Sequence, residues 1–411
     1  MIEIYETIEN CRICSSKNIQ EILDLGDQPP ANSLYKTDKP SSVPLRLMYC
    51  EICSTVQLGE DVDPVYLFSE YLWITGTSET ALNYSQDFSK KALSHFHDND
   101  AQLFVVEVAS NDGTFLQQFK KEGCKVLGVD PAINIAEIAA KKGIPTKADF
   151  FTKELAESLL IKDGFADLIY ARNVIPHVKE IHSVISGIET LLSSSGVGVI
   201  EFHNAGLLIQ ELHYDYIYHE HLFYYTLTTI ESLLKIHNLY IFDVSTSPIS
   251  GGSWVVHFSK KIREKTNKLI AAQNNEIEVQ YNKKESWINF SKNAKKHSDE
   301  LIDLVLHQVD THGRIVAYGA SARSSTLLNY CGISSKHISV VIDKNPLKHG
   351  LLTAGSNIPI VSYQDGLRHI QDSKIILLLA WNFKDEIIKE LRLSGYKGKF
   401  IIPLPGKPYI L

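Results

Sequence analysis

A continuous apolar run, LFVVEVAS at Leu103 to Ser110, is followed by a stretch with helical spacing, TFLQQFKKEG, and by a second apolar run, VLGVD at Val126 to Asp130. Strands that are apolar without alternation are buried on both faces, so this order predicts a parallel sheet covered by helices on each side. The alternation continues through IAEIAAKKG (helix), a turn at Ala148-Asp149-Phe150, ADLIYA (strand), IHSVISGIETLLSSSG (helix) and VGVIEF (strand). The fold class is therefore α/β, with a doubly wound sheet. From Lys260 to about His312 the chain is charged and short of glycine, with Ile262, Leu269, Ile270, Ile277, Trp287, Phe290, Leu301, Leu304 and Val305 scattered as on amphipathic connecting helices. A second α/β series follows: RIVAYG, the turn Ala320-Ser321-Ala322-Arg323, the helix STLLNYC, then ISVVID, IPIVS, a helix, KIILLLAW, a helix and FIIPLP.

Ahead of both series stand Cys11-Arg12-Ile13-Cys14 and Cys50-Glu51-Ile52-Cys53. Each CxxC pair forms a knuckle that offers two sulfurs to one ion, and two such pairs read as a closed, structural Zn²⁺ site, with redox-active or unpaired thiols as the alternative. Four thiolates leave no open position for catalysis. About 35 residues separate the knuckles, against roughly 15–20 in a compact zinc ribbon, so a lobe is inserted between them. The region Ile22 to Ser42, with Gly26 and Pro29-Pro30, reads as loop-rich, and Ser78 to Phe96 reads as a helix leading out of the module.

With 411 residues there is room for two or three domains, each with its own core. A net charge of -7 gives no electrostatic reason to expect a nucleic-acid or anionic-membrane partner. No window of about 18 apolar residues and no leader-like stretch stands out, so the chain reads as cytoplasmic.

Ligands of doubly wound sheets lie beyond the carboxyl ends of the strands. There the first series places Glu107-x-Ala109-x-Asn111-Asp112-Gly113 and, ending its second strand, Asp130, the position of an acid that binds ribose hydroxyls. One glycine in the turn, without GxGxxG, suits a nucleoside cofactor lacking phosphates, S-adenosylmethionine above all; a plain capping turn is the bland alternative. Asp149 either accepts from the adenine amino group or caps a helix. Ala171-Arg172-Asn173-Val174-Ile175-Pro176-His177 follows the fourth strand at the same edge, making His177 a candidate for the site. In the second series Gly319-Ala320-Ser321-Ala322-Arg323 opens a helix, where free N–H groups and a guanidinium suit a phosphate. A degenerate NAD site with Asp343 as ribose acid, and a merely packed turn, are the rivals.

Tyr218-His219-Glu220-His221, within YDYIYHEHLFYYT, sets a phenol, a carboxylate and two imidazoles side by side among apolar and aromatic neighbours. Burying that many polar groups costs several kcal/mol unless each finds a partner. Metal ligation by the two imidazoles, a structural polar cluster, and proton transfer with His221 as base near neutral pH are the three readings. A bend suits the group better than a strand, since alternation would set Tyr218 and Glu220 against His221.

Taken in order, the paired cysteines, VEVASNDGTFL, ARNVIPHV, YHEHLFYYTL, the Gly251-Gly252-Ser253 turn, AYGASARSSTLLNYCG and LLLAWNFKDEI resemble the S-adenosylmethionine-dependent sugar C-methyltransferases that act on nucleotide-linked 4-keto deoxysugars. The match runs nearly end to end. It implies a zinc-binding N-terminal module (1–75), a class I methyltransferase domain that binds S-adenosylmethionine (76–258), connecting helices (259–312) and a C-terminal Rossmann-like domain (313–411). By this resemblance His221 would remove the proton next to the ketone, while Tyr218, Glu220 and His177 bind and polarise the substrate. Tyr71, in EYLWITGTSE, would be the aromatic residue lent by the N-terminal module, with Trp73 as its competitor. Glu107, Ala109, Asn111, Asp112, Gly113, Asp130, Asp149 and Asn173 would hold the cofactor; Gly319, Ser321, Arg323 and Asn329 would meet the diphosphate sugar. Ala109 replaces the usual first glycine of the turn, and Ile249 stands where relatives often carry a polar residue. Methylation of carbon demands a carbanion equivalent, which an adjacent ketone provides as an enolate, so a base and an oxyanion donor are both required. O- or N-methylation of a nucleotide sugar and NAD-linked oxidation of one are the other readings. The chain is expected to act as a monomer.

Overall fold

The computed structural model describes residues 4–68, 75–77, 79–96, 102–247, 249 and 252–411. Tyr71 and Trp73, both named above for the site, lie outside the described residues, as does Gly251.

The N-terminal module is built on an antiparallel sheet, and the loop expected over Ile22 to Ser42 occupies residues 29–42 of that range. Ile19–Gln28 pairs with Val43–Cys50, which pairs with Val56–Leu58. The expected loop at Ile22 is therefore a strand for its first seven residues. Leu23 and Leu25 point into the core at the period of two that a strand requires. What hides this is Gly26, whose φ of +78° sits at a register shift between Asp24 and Asp27.

The central sheet has seven strands: β1 Phe104–Val108, β2 Lys125–Asp130, β3 Thr146–Ala148, β4 Ala166–Arg172, β5 Leu192–His203, β6 Tyr240–Ser247 and β7 Ser253–Ser259. Their order is β6-β7-β5-β4-β1-β2-β3, parallel except that β7 lies antiparallel to both β5 and β6. This is the sheet expected of a class I methyltransferase. Every residue of β1 is buried, as its unbroken apolar run requires. The helix before β5 stops at Leu191, and Leu192-Ser193-Ser194-Ser195-Gly196, expected as its last turn, opens the strand instead. Serines compete with helical hydrogen bonding, and the register shift between Leu192 and Val197 absorbs the irregular stretch.

The linking region forms the helices Asn267–Val279 and Lys284–His312. Leu269, Trp287, Phe290, Leu301 and Val305 are buried as their spacing suggests, whereas Ile262 and Ile277 face solvent. The C-terminal sheet begins with β8 Ile315–Tyr318 and β9 Ile338–Ile342; it continues through β10 Ile360–Val361, β11 Ile375–Leu378, β12 Lys399–Ile402 and β13 Tyr409–Ile410. The order is β10-β9-β8-β11-β12-β13, parallel but for the last strand. Glycine is required where β8 ends: Gly319 takes φ +100°, and a Cβ there would lie 2.5 Å from that of Ala380.

Candidate active site

Residues 211–222 cross the carboxyl end of the central sheet as turns, not as a strand, with His221 N–H donating to the Tyr218 carbonyl at 2.9 Å. The bend is held from two sides. On the N-terminal side, Phe223–Tyr224 adds a fourth strand to the cysteine module's sheet through Val56–Leu58. His219 Nε2–H is shared between the carbonyls of Val43 and Pro44, each at 3.2 Å, so this imidazole is a neutral donor that anchors the bend. On the C-terminal side, the 3₁₀ turn Tyr214–Tyr216 carries Asp215, which accepts from Arg323 Nε and Nη2 at 3.0 and 2.9 Å and from Trp381 Nε1 at 2.8 Å. Thr326 donates to the Ile217 carbonyl at 2.7 Å.

The bend gathers a cluster of rings. His221 packs against both Tyr216 and Tyr218, 4.1 and 3.9 Å from their centroids, the two tyrosine rings meeting each other edge-on at 6.2 Å, and it meets His177 edge-on at 4.7 Å. His221 Nδ1 is 2.8 Å from the Tyr216 carbonyl, which can only accept. In the neutral ring Nδ1 therefore carries the proton and Nε2 keeps the lone pair. Burial, with help from His177, holds the ring well below the usual imidazole range, so it is neutral at physiological pH. Burial alone lowers His177 to about 4. Glu220 moves the other way: burial raises it to about 7, although Asn32 Nδ2 donates to Oε1 at 2.6 Å. Asn32 is a residue that sequence reasoning missed. It sits in the lobe between the two cysteine pairs, and the unexplained length of that lobe was the signal available.

On the cofactor side Glu107 is buried, accepts from the Tyr170 hydroxyl at 3.0 Å and is raised to about 8 by burial against the pull of Arg172. Ala109 and Asn111 adopt φ of +52° and +49° in the turn after β1, and Gly113 +73°. A left-handed residue with a Cβ costs roughly 1 kcal/mol, which explains why a glycine is the commoner choice where Ala109 stands. Asp130 holds the turn, accepting from Asn111 N–H at 2.8 Å and from Ala132 N–H at 3.0 Å. Asp112 is fully buried and takes up protein donors instead of facing a ligand: Thr114 on Oδ1, with Lys142 and Gly76 N–H on Oδ2. Asn111 Oδ1 likewise receives Thr75 N–H at 2.8 Å. These two side chains fasten the segment 75–77 across the cofactor turn. Asp149 is exposed, and the capping role weighed for it belongs to Thr152, which accepts from Leu155 N–H. Asn173 follows β4 at φ +51°, and its Oδ1, like Ser110 Oγ after β1, is buried with no hydrogen-bond partner among the described residues. Such atoms cost about 1–3 kcal/mol unless a ligand meets them. Two of them at the strand ends fit a polar nucleoside cofactor.

In the C-terminal unit the phosphate fork expected of Arg323 is closed on Asp215, and its guanidinium lies 4.6 Å from the Trp381 ring centroid. Ser321 caps the helix Ala322–Tyr330 through Ser324 N–H, and Asn329 Nδ2 is held by the carbonyls of Ser325 and Ala354. Of the four residues proposed for the substrate there, Arg323 and Asn329 are thus anchored in the protein. Asp343 accepts Ala320 N–H and Asn345 N–H, repeating what Asp130 does in the first unit.

The four cysteine sulfurs converge within 4.8 Å of one another. Cys11 and Cys53, and Cys14 and Cys50, are each 3.5 Å apart. A tetrahedral ion about 2.3 Å from each sulfur would set them roughly 3.8 Å apart, so the donors fit Zn²⁺. The two knuckles match in detail, with Ser15 and Ser54 at φ +59° and +60° and each donating its N–H back to the first cysteine's carbonyl. Burial pushes the Cys14 thiol up to about 11, and a cation offsets that penalty.

Three family models cover the chain: "Putative zinc binding domain" over residues 11–68, "Methyltransferase domain" over 84–244 and "C-methyltransferase C-terminal domain" over 248–405. The C-methyltransferase NovU of Streptomyces niveus is 29% identical over 417 aligned positions, spanning 98% of this chain and 97% of that one. Among solved structures, magnesium protoporphyrin IX methyltransferase from Synechocystis with bound S-adenosylmethionine is 12% identical over 48% of this chain and 89% of its own, with a TM-score of 0.34. An S-adenosylmethionine-dependent methyltransferase from Clostridium acetobutylicum is 15% identical over 45% of this chain and 93% of its own, at 0.35. With its four-cysteine module, its methyltransferase sheet and a relative that matches it from end to end, the chain belongs to the S-adenosylmethionine-dependent, zinc-binding C-methyltransferases.

Proposed function

We propose that the protein methylates C3 of a nucleotide-linked 4-keto-6-deoxysugar, with His221 as the base. The observation that carries this reading is the state of His221: its Nδ1–H is fixed on the Tyr216 carbonyl, leaving a neutral Nε2 lone pair in a ring-walled site at the end of the sheet. S-Adenosylmethionine supplies, when bound, a methyl group on a positively charged sulfur. Glu107, Asp130 and Asn173 are the residues that would hold it. Nε2 takes the proton from the carbon beside the ketone, and the charge that passes to the ketone oxygen needs a donor. Tyr218 and protonated Glu220 are the donors at hand, and His177 completes the wall. The diphosphate is assigned to the opening of the helix Ala322–Tyr330, at Gly319 and Ser321. The sugar assignment rests on the ordered motifs that run the length of the chain. No helix of the described residues is long and apolar enough to cross a membrane, and we place the enzyme in the cytoplasm as a monomer.

The test is isotopic. With the ketosugar in deuterated water and no methyl donor, the protein should wash deuterium into C3, because proton removal does not need the cofactor. O- or N-methylation predicts no exchange at carbon, and its absence under turnover-competent conditions would sink the reading.

Glu220 adds a pH signature. Its carboxyl is raised from 4.5 to about 7, so the protonated donor is lost as pH climbs through 7 and the rate falls on that side. Glu220→Gln, a permanent neutral donor, should flatten this alkaline limb in a pH–rate profile. The same rise means the folded chain keeps a proton that the unfolded chain has released between pH 4.5 and about 7. Stability falls across that window by an amount on the order of 3 kcal/mol. Denaturant unfolding should therefore favour Glu220→Gln over the parent protein more strongly at pH 8 than at pH 4.5.

A further inference from the structure

We propose that His95, Asp243 and His257 form a second cation site, suited to a divalent first-row transition metal, that clamps the helix Glu79–Leu93 to the edge of the central sheet. Nothing in the methyl-transfer reading uses these residues. Asp243 on β6 and His257 on β7 are direct cross-strand partners, placed opposite each other by a register shift just before Asp243. His95 reaches them from the turn that ends the helix. His95 Nε2 and His257 Nδ1 face each other at 3.1 Å, and one donor atom from each of the three residues lies within 4.8 Å of the others. A tetrahedral ion bound at about 2.0–2.1 Å would hold two imidazole nitrogens roughly 3.3 Å apart. The donors are nearly in place.

Two facing ring nitrogens can share only one proton. A cation takes both lone pairs instead, and that proton moves to the outer nitrogen of its own ring. The carboxylate is equally prepared. Asp243 is 3% exposed; Thr266 Oγ1 donates to its Oδ1 at 2.7 Å, the outer-shell support that fixes a ligating carboxylate. Its Oδ2 accepts from Lys91 Nζ at 2.8 Å. Lys91 is 39% exposed along its side chain, so it can return to water when a doubly charged ion replaces its single charge. Two imidazoles and one carboxylate favour Zn²⁺, Co²⁺ or Ni²⁺ over Mg²⁺ and Ca²⁺, which call for oxygen ligands. The site lies four residues back along the strand pairing from the end of β5, since His257 pairs with Val199 and Ser253 with His203. It is a fastening beside the reaction centre rather than part of it.

Metal content decides the matter. The full-length protein, with its cysteine site loaded, is equilibrated with excess Zn²⁺, dialysed and analysed for metal. Two equivalents per chain are expected, falling to one in His95→Asn, a substitution at a half-exposed position that the fold should tolerate. Adding Co²⁺ to the zinc-loaded protein should give visible absorption without the thiolate-to-cobalt charge-transfer band, and Lys91→Ala should tighten the uptake. One equivalent in the parent protein, or a second equivalent bound as tightly in His95→Asn as in the parent, overturns the proposal.

Discussion

His221→Asn is expected to lower turnover by about 10²–10⁴-fold, the usual worth of a positioned general base. Asparagine can still offer an N–H to the Tyr216 carbonyl that holds His221 Nδ1, and it fills much of the space beside Tyr216 and Tyr218. What it lacks is the Nε2 lone pair. Cofactor binding should be unchanged, since Glu107, Asp130 and Asn173 belong to other elements, the ends of β1, β2 and β4. The variant should also lose donor-independent deuterium exchange in parallel with turnover. Loss of methyl transfer with exchange intact would move the base elsewhere and leave His221 a positioning role; unchanged turnover would remove it from the mechanism.

The parts of this molecule that were legible in the chain are those whose physics is local. β1 declares itself because a strand covered on both faces must be apolar at every position. The cysteine site is legible because a knuckle needs its two sulfurs at fixed spacing. The bend at Tyr218 to His221 follows from the mismatch between strand alternation and a shared target for Tyr218, Glu220 and His221. The parts that were not legible depend on partners distant in sequence. Nothing near Arg323 announces that Asp215, more than a hundred residues earlier, closes its fork. Asn32 reaches Glu220 across 188 positions. His219 looked surplus in the cluster until the carbonyls of Val43 and Pro44 gave its N–H a purpose. The boundary at Leu191 and Leu192 differs for another reason: three serines compete with helical hydrogen bonding, and pairing with β4 at Leu192 and again from Val197 draws the unpaired stretch between them out of the helix.

These long-range contacts share a destination. Asn32, Val43, Pro44 and the strand Val56–Leu58 hold residues 219–224 from one side; Arg323, Thr326 and Trp381 hold 215–217 from the other. The base therefore sits on turns that have little structure of their own, positioned by two modules outside the cofactor-binding sheet. A rigid site assembled this way should be sensitive to damage far from the chemistry.

Loss of the cysteine-bound ion is the severest case. Cys50→Ser is expected to abolish stoichiometric zinc at the knuckles, unfold the N-terminal sheet and bring methyl transfer down with it. Structural zinc contributes on the order of 10–16 kcal/mol to small metal-bound modules, as much as or more than the whole stability of a typical domain. Cys50 ends the strand Val43–Cys50, whose first two carbonyls receive His219, and that strand pairs with the one that extends to Phe223 and Tyr224. Melting it frees the module's two holds on the bend, at His219 and at Phe223–Tyr224, and withdraws Asn32 from Glu220. The expected result is a separate low-temperature transition in thermal unfolding, with activity lost in proportion to the zinc lost. A chelator applied to the parent protein should do the same reversibly, but it would also strip an ion at His95, Asp243 and His257, so the cysteine variant is the cleaner instrument. Re-addition of Zn²⁺ should restore the chelated parent and leave Cys50→Ser inactive. A variant that keeps normal turnover without zinc would show that the bend holds its shape unaided and that the module serves some purpose other than positioning His221.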